Sequence, residues 1–319
     1  MIQSVITGSG SYLPSRIVTN KELEQAIETS DEWIVSRTGI KQRHIAGDTE
    51  YVSAMAANAG KIAIEKSGLQ NTDIDLIIVA TTTPDKTFPA TAVITQSLLG
   101  IKQGAAFDVQ AVCAGFIYAI SIADSMIKSG SAKNVLVIGA DKMSSLVDWN
   151  DRGTCILFGD GAGAIVLSAS NSGNSGIIGF DLNSDGDYRD ILYTNGGVTT
   201  TGTSGKLVML GKEVFKHAVE KMGSSLVKLL KKSGIEQHEV DWLVPHQANI
   251  RIIDTLASKL GFADEKIIKT VSNHANTSAA SIPLALDSAI ASNTIKKGEI
   301  VAITAIGGGL SWGSCIFKL

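Results

Sequence analysis

The sequence predicts an α/β protein built from two similar halves. Two observations carry this expectation. Strand-type apolar runs alternate with helix-type runs along the chain, and one order of segments returns at a fixed spacing. The 319 residues are enough for a large core. With 44% hydrophobic, 18% charged and only 5% aromatic residues, and with 32 glycines, that core must be packed from small aliphatic side chains.

In chain order, the strand-type runs are "IDLIIVATT", "AAFDVQA", "NVLVIGAD", "AIVLSAS", "VDWLVPH", "KIIKTVS", "EIVAITAIG" and "SCIFKL". Many are continuously apolar, the pattern of strands covered on both faces. The runs "SAMAANAGKIAIEKSG" and "KEVFKHAVEKMGSSLVKLLKKSG" read as helices closed by a glycine. Two stretches, "KSGLQNTDIDLIIVA" from Lys66 and "KSGIEQHEVDWLVPH" from Lys232, align without a gap at an offset of 166. The same offset carries Cys113 to Ala279 and Val135 to Val301. The expected units are therefore 1–170 and 171–319, packed tightly because no linker or low-complexity tract divides them. Cys113 and Ala279 should each open a buried helix, and a pseudo-twofold axis would turn those helix starts toward one another.

Bulk properties exclude several classes. A net charge of −3 gives no footprint for wholesale nucleic-acid binding. Three cysteines (Cys113, Cys155 and Cys315) without Cys-x-x-Cys spacing argue against a disulfide scaffold or a zinc site, so no metal is expected. The opening "MIQSVITGSGSYLP" lacks the basic and apolar regions of a signal peptide. No apolar run approaches the ~18 residues of a membrane span. A cytoplasmic location is expected.

Polar residues at strand ends mark candidate chemistry. Cys113, in "FDVQAVCAGFIYAISIAD", sits where a strand run gives way to a helix with a small first turn. A free cysteine is often an inert core residue, the better reading for Cys155 and Cys315. At a helix start the dipole and free N–H groups favour a thiolate, so position alone leaves filler and nucleophile both open for Cys113. Of the five histidines, His44 reads as loop, and His217 and His238, in helical or acidic surface stretches, as solvated or satisfied side chains. His246 follows Pro245 at the mouth of a buried strand, where α/β folds carry chemistry. Asn276 and Thr277, in "SNHANTSAAS", read first as helix caps. "FGDGAGAIVL" has glycines followed by a strand run and no Gly-Lys-Ser/Thr, so it reads as a strained turn lining a site, not a phosphate loop. In "AIGGGLSWG" three glycines bring bare backbone, and an N–H donor, beside something.

Taken together, "DVQAVCAGF", "DRGTCILFGDGAGAIVL", "VPHQANIRI", "HANTSAAS" and "GGGLSWG" resemble the β-ketoacyl-[acyl-carrier-protein] synthase III family, a branch of the thiolase-like condensing superfamily. The likeness runs nearly end to end and includes "SDEWIVSRTGI". Elongating synthases carry His where Asn276 lies, and thiolases carry a second Cys. Chalcone-synthase relatives share Cys-His-Asn, but "DEWIVSRTGI" and "VPHQAN" favour synthase III. The resemblance implies a thiolase-like, duplicated α-β-α-β-α five-layered sandwich and a homodimer. It implies decarboxylative condensation of a short acyl-CoA, commonly acetyl-CoA, with malonyl-acyl carrier protein, giving 3-oxoacyl-acyl carrier protein, CO2 and CoA. This reaction initiates type II fatty acid biosynthesis and uses no cofactor.

By the same resemblance Cys113 is the nucleophile, and His246 and Asn276 hold the malonyl thioester oxygen. The backbone N–H groups of Cys113 and Gly308 form a second oxyanion hole. Trp33 and Arg152 sandwich the CoA adenine, Arg37 and Thr38 lie in the same block, and Asn249 lies near the pantetheine. Phe88 reaches the partner subunit's acyl pocket, while Lys216, Arg251 and Lys259 offer a basic face to the carrier protein. Two residues depart from the family pattern. Ala275 stands where Gly is common, which should alter the turn before Asn276. Ile306 stands where Phe is common, which should change the malonyl site. The rival readings are a Cys-dependent acyltransferase or thioesterase of the same fold, and an acyl-binding scaffold without catalysis.

Overall fold

In the computed structural model, which describes residues 2–171, 173 and 175–319, two mixed sheets sandwich a layer of buried helices. The first sheet contains β1 (Gln3–Tyr12), β2 (Leu76–Ala80), β3 (Ala105–Val109), β4 (Asn134–Lys142) and β5 (Asp160–Ser170), in the order β1-β5-β4-β2-β3. The second contains β6 (Gly176–Ser184), β7 (Trp242–Pro245), β8 (Ile300–Gly307) and β9 (Ser311–Lys318), in the order β7-β8-β9-β6. Each sheet has the same core: a parallel pair (β2/β4 and β7/β8) continued by two antiparallel neighbours. Only the first sheet carries a further strand, β3, at its edge.

The helices that build and flank the layers include α1 (Asp31–Thr38), α2 (Val52–Ser67), α3 (Gly115–Lys128), α4 (Gly211–Ser233), α5 (Ile250–Leu260) and α6 (Ser281–Ala291). Helices α3 and α6 lie between the sheets, and their apolar faces join strands of both halves in one core. Helix α2 covers the outside of the first sheet, and α4 with α5 covers the outside of the second. This is the expected five-layered sandwich.

The 166-residue offset holds in atomic detail. Helices α2 and α4 end on left-handed glycines, Gly68 and Gly234, at φ 75° and 67°. Asp75 and Asp241 then repeat one device. The Asp75 N–H donates to Asn134 O at 2.9 Å while its carboxylate accepts from Asn134 N at 2.9 Å. Asp241 does the same with Ile300, at 2.9 and 2.8 Å. Each aspartate thereby fixes the register of the parallel pair that follows it.

Four local expectations change. "KIIKTVS" is not a strand: Ile267 makes only an isolated bridge to Leu243, because the Gln247 carboxamide takes the main-chain groups of Ile268, Thr270 and Val271. "FGDGAGAIVL" is not a turn from Asp160 onward but strand β5. Its Gly163 lets α6 approach, since a Cβ there would lie 2.6 Å from Leu284 N. His44 ends a short strand, Gln42–His44. His217 is buried, with its ring 4.2 Å from that of Tyr188. Strands β1 and β6 had no strand-type signal: β1 is rich in Ser, Thr and Gly, with Gly8 and Gly10 pressed against the α2 backbone.

Candidate active site

A cavity of about 800 Å³ opens between the halves, and Cys113, His246 and Asn276 all line it. Each arrives from a different element. Cys113 lies in a short 3-10 turn, Val112–Ala114, that leads directly into α3. Val112, just before it, is left-handed at φ 48°, an uncommon state for a β-branched residue and the mark of a backbone held by its surroundings. Those surroundings include Gly307, where a Cβ would lie 2.7 Å from Cys113 N and 2.6 Å from Ala111 O. The triple-glycine stretch thus abuts the Cys113 backbone. Gly307 lines the cavity, while Gly308 packs against the Leu192 main chain.

Asn276 is fixed from both ends. Its N–H donates to Leu157 O at 2.9 Å, and its O accepts from Gly159 N at 3.0 Å. Its side-chain Oδ1 accepts from Ser278 N at 2.9 Å, which leaves the Nδ2 group as the donor. Ala275 holds φ 58° and ψ −163°, so the turn keeps a glycine-like shape and the Ala bears the strain. His246 ends β7. Its N–H donates to Thr304 O at 2.8 Å, and its Nδ1 lies 2.6 Å from Ser281 Oγ.

Burial dominates the electrostatics. It pushes the Cys113 thiol up to about 12; Asp141 adds to the rise, and the Ser278 hydroxyl opposes it. Burial alone lowers His246 to about 4, so the ring is neutral. The Asp141 carboxyl is also raised by burial, although it accepts from Thr82 N (2.7 Å), Thr81 Oγ1 (3.0 Å), Thr83 Oγ1 (3.0 Å) and Ala279 N (3.1 Å). A neutral imidazole and a carboxamide offer hydrogen-bond donors to a developing oxyanion without a mobile proton. The thiol, at the N-terminal end of a 14-residue helix, meets a favourable dipole once it ionises.

The cavity mouth joins α1 to α5. Asn249 caps α5 by accepting from Arg251 N at 2.8 Å and donates Nδ2 to Arg37 O at 3.2 Å. Trp33, Arg37, Thr38 and Asn249 line the cavity. The Thr38 hydroxyl donates to Ile34 O at 2.7 Å and accepts from Ile40 N at 3.0 Å, so its polar atom is committed to the helix end. The Arg152 guanidinium lies 4.8 Å over the Trp33 ring, so the two stack directly on each other. Arg251 reaches over Phe215 and lines the cavity. Lys259 lies along α4 near Gly223, and Lys216 is exposed on that helix. Phe88 stands 82% exposed, outside the cavity. Ile306 forms part of the cavity wall, opposite Trp312 in the β8/β9 ladder.

Comparison with known proteins shows the family. The family described as 3-oxoacyl-[acyl-carrier-protein (ACP)] synthase III matches residues 107–186, and its C-terminal counterpart matches residues 230–319. A β-ketoacyl-[acyl-carrier-protein] synthase III of Ehrlichia canis (strain Jake) is 56% identical over 319 residues, 100% of both chains. The chain belongs to the β-ketoacyl-[acyl-carrier-protein] synthase III family. It is a condensing acyltransferase of the thiolase fold. The synthase III of Wolbachia pipientis wMel is 57% identical over 99% of both chains. The crystal structure of 3-oxoacyl-[acyl-carrier-protein] synthase III from Aquifex aeolicus VF5 is similar at a TM-score of 0.95 and 46% identity, covering 99% of this chain and 100% of that one.

Sequence reasoning missed four residues that build this synthase III site. Ser281 and Gln247 sit inside the motifs "HANTSAAS" and "VPHQAN" but read as ordinary small or polar residues. Ser278 lies in the same "HANTSAAS" motif and Asp141 carries no local pattern, and only the fold brings the two beside Cys113.

Proposed function

We propose that the chain joins an acyl group from a short acyl-CoA, such as acetyl-CoA, to malonyl-acyl carrier protein through an acyl-Cys113 intermediate. In the first half-reaction Cys113 Sγ attacks the thioester carbonyl carbon. The backbone N–H groups of Cys113 and Gly308 receive the oxyanion. The C–S bond to CoA breaks, and the thiol proton ends on CoA. In the second, the malonyl thioester oxygen takes hydrogen bonds from His246 Nε2 and Asn276 Nδ2. The C–C bond to the carboxylate breaks, CO2 departs, and its electron pair becomes the enolate. The enolate carbon attacks the carbonyl of acyl-Cys113, the C–Sγ bond breaks, 3-oxoacyl-acyl carrier protein leaves, and the Cys113 thiolate takes a proton from solvent to restore the thiol. Two half-reactions sharing one covalent intermediate give ping-pong kinetics.

The observation that carries this reading is the convergence of a helix-start thiol, a neutral histidine and an oriented asparagine on one cavity. Trp33, Arg37, Arg152 and Asn249 bind the CoA moiety, with Arg152 swinging off the indole to admit the adenine. Lys216, Arg251 and Lys259 meet the acidic carrier protein. The functional unit is a homodimer: β3 is an edge strand with half-exposed residues, and Phe88 projects into solvent toward a partner's acyl pocket. The two units, 1–170 and 171–319, act as one body in the cytoplasm without cofactor, metal or nucleic acid. Among the described residues no helix is long and apolar enough to cross a membrane.

Mass spectrometry of the intact protein after incubation with a panel of acyl-CoAs tests the reading. One acyl adduct per chain is expected in wild type, none as a thioester in Cys113→Ser, and CO2 release on adding malonyl-acyl carrier protein. Adduct at Cys155 or Cys315, or acyl transfer without CO2, overturns it.

A further inference from the structure

His246 is neutral, so its single ring proton sits on either Nδ1 or Nε2, and the two tautomers do opposite chemistry at the cavity. Ser281 opens α6 and is 2% exposed. Its Oγ lies 2.6 Å from His246 Nδ1 and 3.3 Å from Gln247 N. A backbone N–H can only donate, so Ser281 Oγ accepts from Gln247. Those two groups are the Oγ partners among the described residues.

Two proton placements are then possible. If Nδ1 carried the proton, Ser281 Oγ would accept twice, and its own hydrogen would have no acceptor among the described residues. If the hydroxyl donates to Nδ1, every polar atom in the trio is paired. A buried donor without a partner is disfavoured strongly enough to bias this choice about tenfold or more. We propose that Ser281 is a positioning residue that fixes His246 as the Nε2–H tautomer, with Gln247 N–H committing the hydroxyl to that direction. The inference rests on the role given above to His246 in holding the malonyl thioester oxygen.

The consequence separates the half-reactions. An Nε2–H group donates to the thioester oxygen and to the enolate it becomes. The same nitrogen has no lone pair for the Cys113 proton, so acylation does not use His246 as a base. Ser281 therefore serves decarboxylation and leaves acyl transfer to the helix start.

The test combines a spectrum with two rates, on the full-length protein. Two-bond proton–nitrogen correlation on ¹⁵N-histidine-labelled protein, assigned with His246→Asn, reads the tautomer directly. Wild type and Ser281→Thr, which keeps the hydroxyl, are expected to show an unprotonated Nδ1 and a protonated Nε2. Ser281→Ala is expected to show a mixture. In single-turnover assays Ser281→Ala should form acyl-Cys113 at the wild-type rate and release CO2 about 10- to 100-fold more slowly, with Thr restoring most of the loss. A wild-type spectrum with Nδ1 protonated overturns the proposal even if the Ala variant does not fold. So does an Ala variant with unchanged tautomer and unchanged CO2 release. If His246→Asn released CO2 at the wild-type rate, the role of His246 would fall, while the wild-type spectrum would still decide what Ser281 does.

Discussion

Val112 and Ser278, 166 residues apart, share one left-handed backbone conformation, at φ 48° and 52°. Each opens a single 3-10 turn that leads into a buried helix. The pseudo-symmetry thus extends from strand order down to single torsion angles. It also makes the halves grip each other. Strand β8 of the second half abuts the Cys113 backbone through Gly307, and β4 of the first half abuts the 279–280 backbone through Gly139.

That grip predicts a paired phenotype. A Cβ at Gly307 would lie 2.7 Å from Cys113 N, and one at Gly139 would lie 2.2 Å from Ala279 O. Both neighbours are backbone and cannot swing away. Gly307→Ala and Gly139→Ala should each lower stability by about 1–3 kcal/mol or more. Urea melts check this. Where the variants fold, Gly307→Ala should chiefly slow Cys113 acylation, and Gly139→Ala should chiefly slow CO2 release.

Asn276 contributes a donor rather than an acceptor, because Ser278 N already holds its Oδ1. Asn276→Asp retains that contact and loses the Nδ2 donor. Single-turnover CO2 release from malonyl-acyl carrier protein should fall about 10²–10³-fold, while acyl-Cys113 still forms. An equal loss in both half-reactions would contradict this assignment.

Gln247 is fully buried and satisfies four main-chain groups. Its Nε2 donates to Pro245 O and Ile268 O at 2.7 and 3.1 Å. Its Oε1 accepts from Thr270 N and Val271 N at 2.8 and 3.2 Å. Gln247→Leu leaves all four unpaired and should cost about 3–5 kcal/mol in stability, given roughly 1–3 for each orphaned group and partial relaxation. A denaturant titration measures the loss. Gln247→Glu keeps the two acceptor contacts and should be milder.

Acid should destabilise the fold through two histidines. Burial holds His246 near 4, and burial together with the neighbouring His44 does the same for His274. Both lie below the ordinary value of about 6.5. Between pH 6.5 and 4 the unfolded chain binds protons that the folded chain refuses, so stability falls as the pH falls through that window. For fully buried His246 the loss amounts to roughly 3 kcal/mol at the acid end. Thermal melts from pH 7 to 4 should show a shallower decline in His246→Asn than in wild type.

Much of this was legible in the sequence, for physical reasons. Strands buried on both faces leave continuous apolar runs, and "LIIVA" and "VLVIGA" became β2 and β4. The repeat could be read because a glycine cap, an acidic register clamp and a buried strand recur as one gapless block. Edge strands carry less pattern, which is why Ser- and Gly-rich β1 left no signal. "KIIKTVS" misled because apolarity does not reveal that a distant carboxamide will claim its backbone. His217 sits in a Lys- and Glu-rich helix, and its burial comes from Tyr188 on another element. Cys113, His246 and Asn276 stood out by lying at element ends. Ser281 and Asp141 did not, because their roles exist only once distant segments meet: Ser281 with His246 inside the second half, and Asp141 with Ala279 across the two halves.

Ala279 occupies the tip that matches Cys113, yet it bears a methyl where its counterpart bears sulfur. That methyl rests near Gly115, 3.7 Å from where a side chain there would begin. Two equivalent helix starts thus differ in kind: one holds a thiol, the other only packs. A doubled scaffold of this kind holds two equivalent helix starts and puts sulfur at one of them, so a covalent foothold at such a tip exists once per polypeptide and not twice.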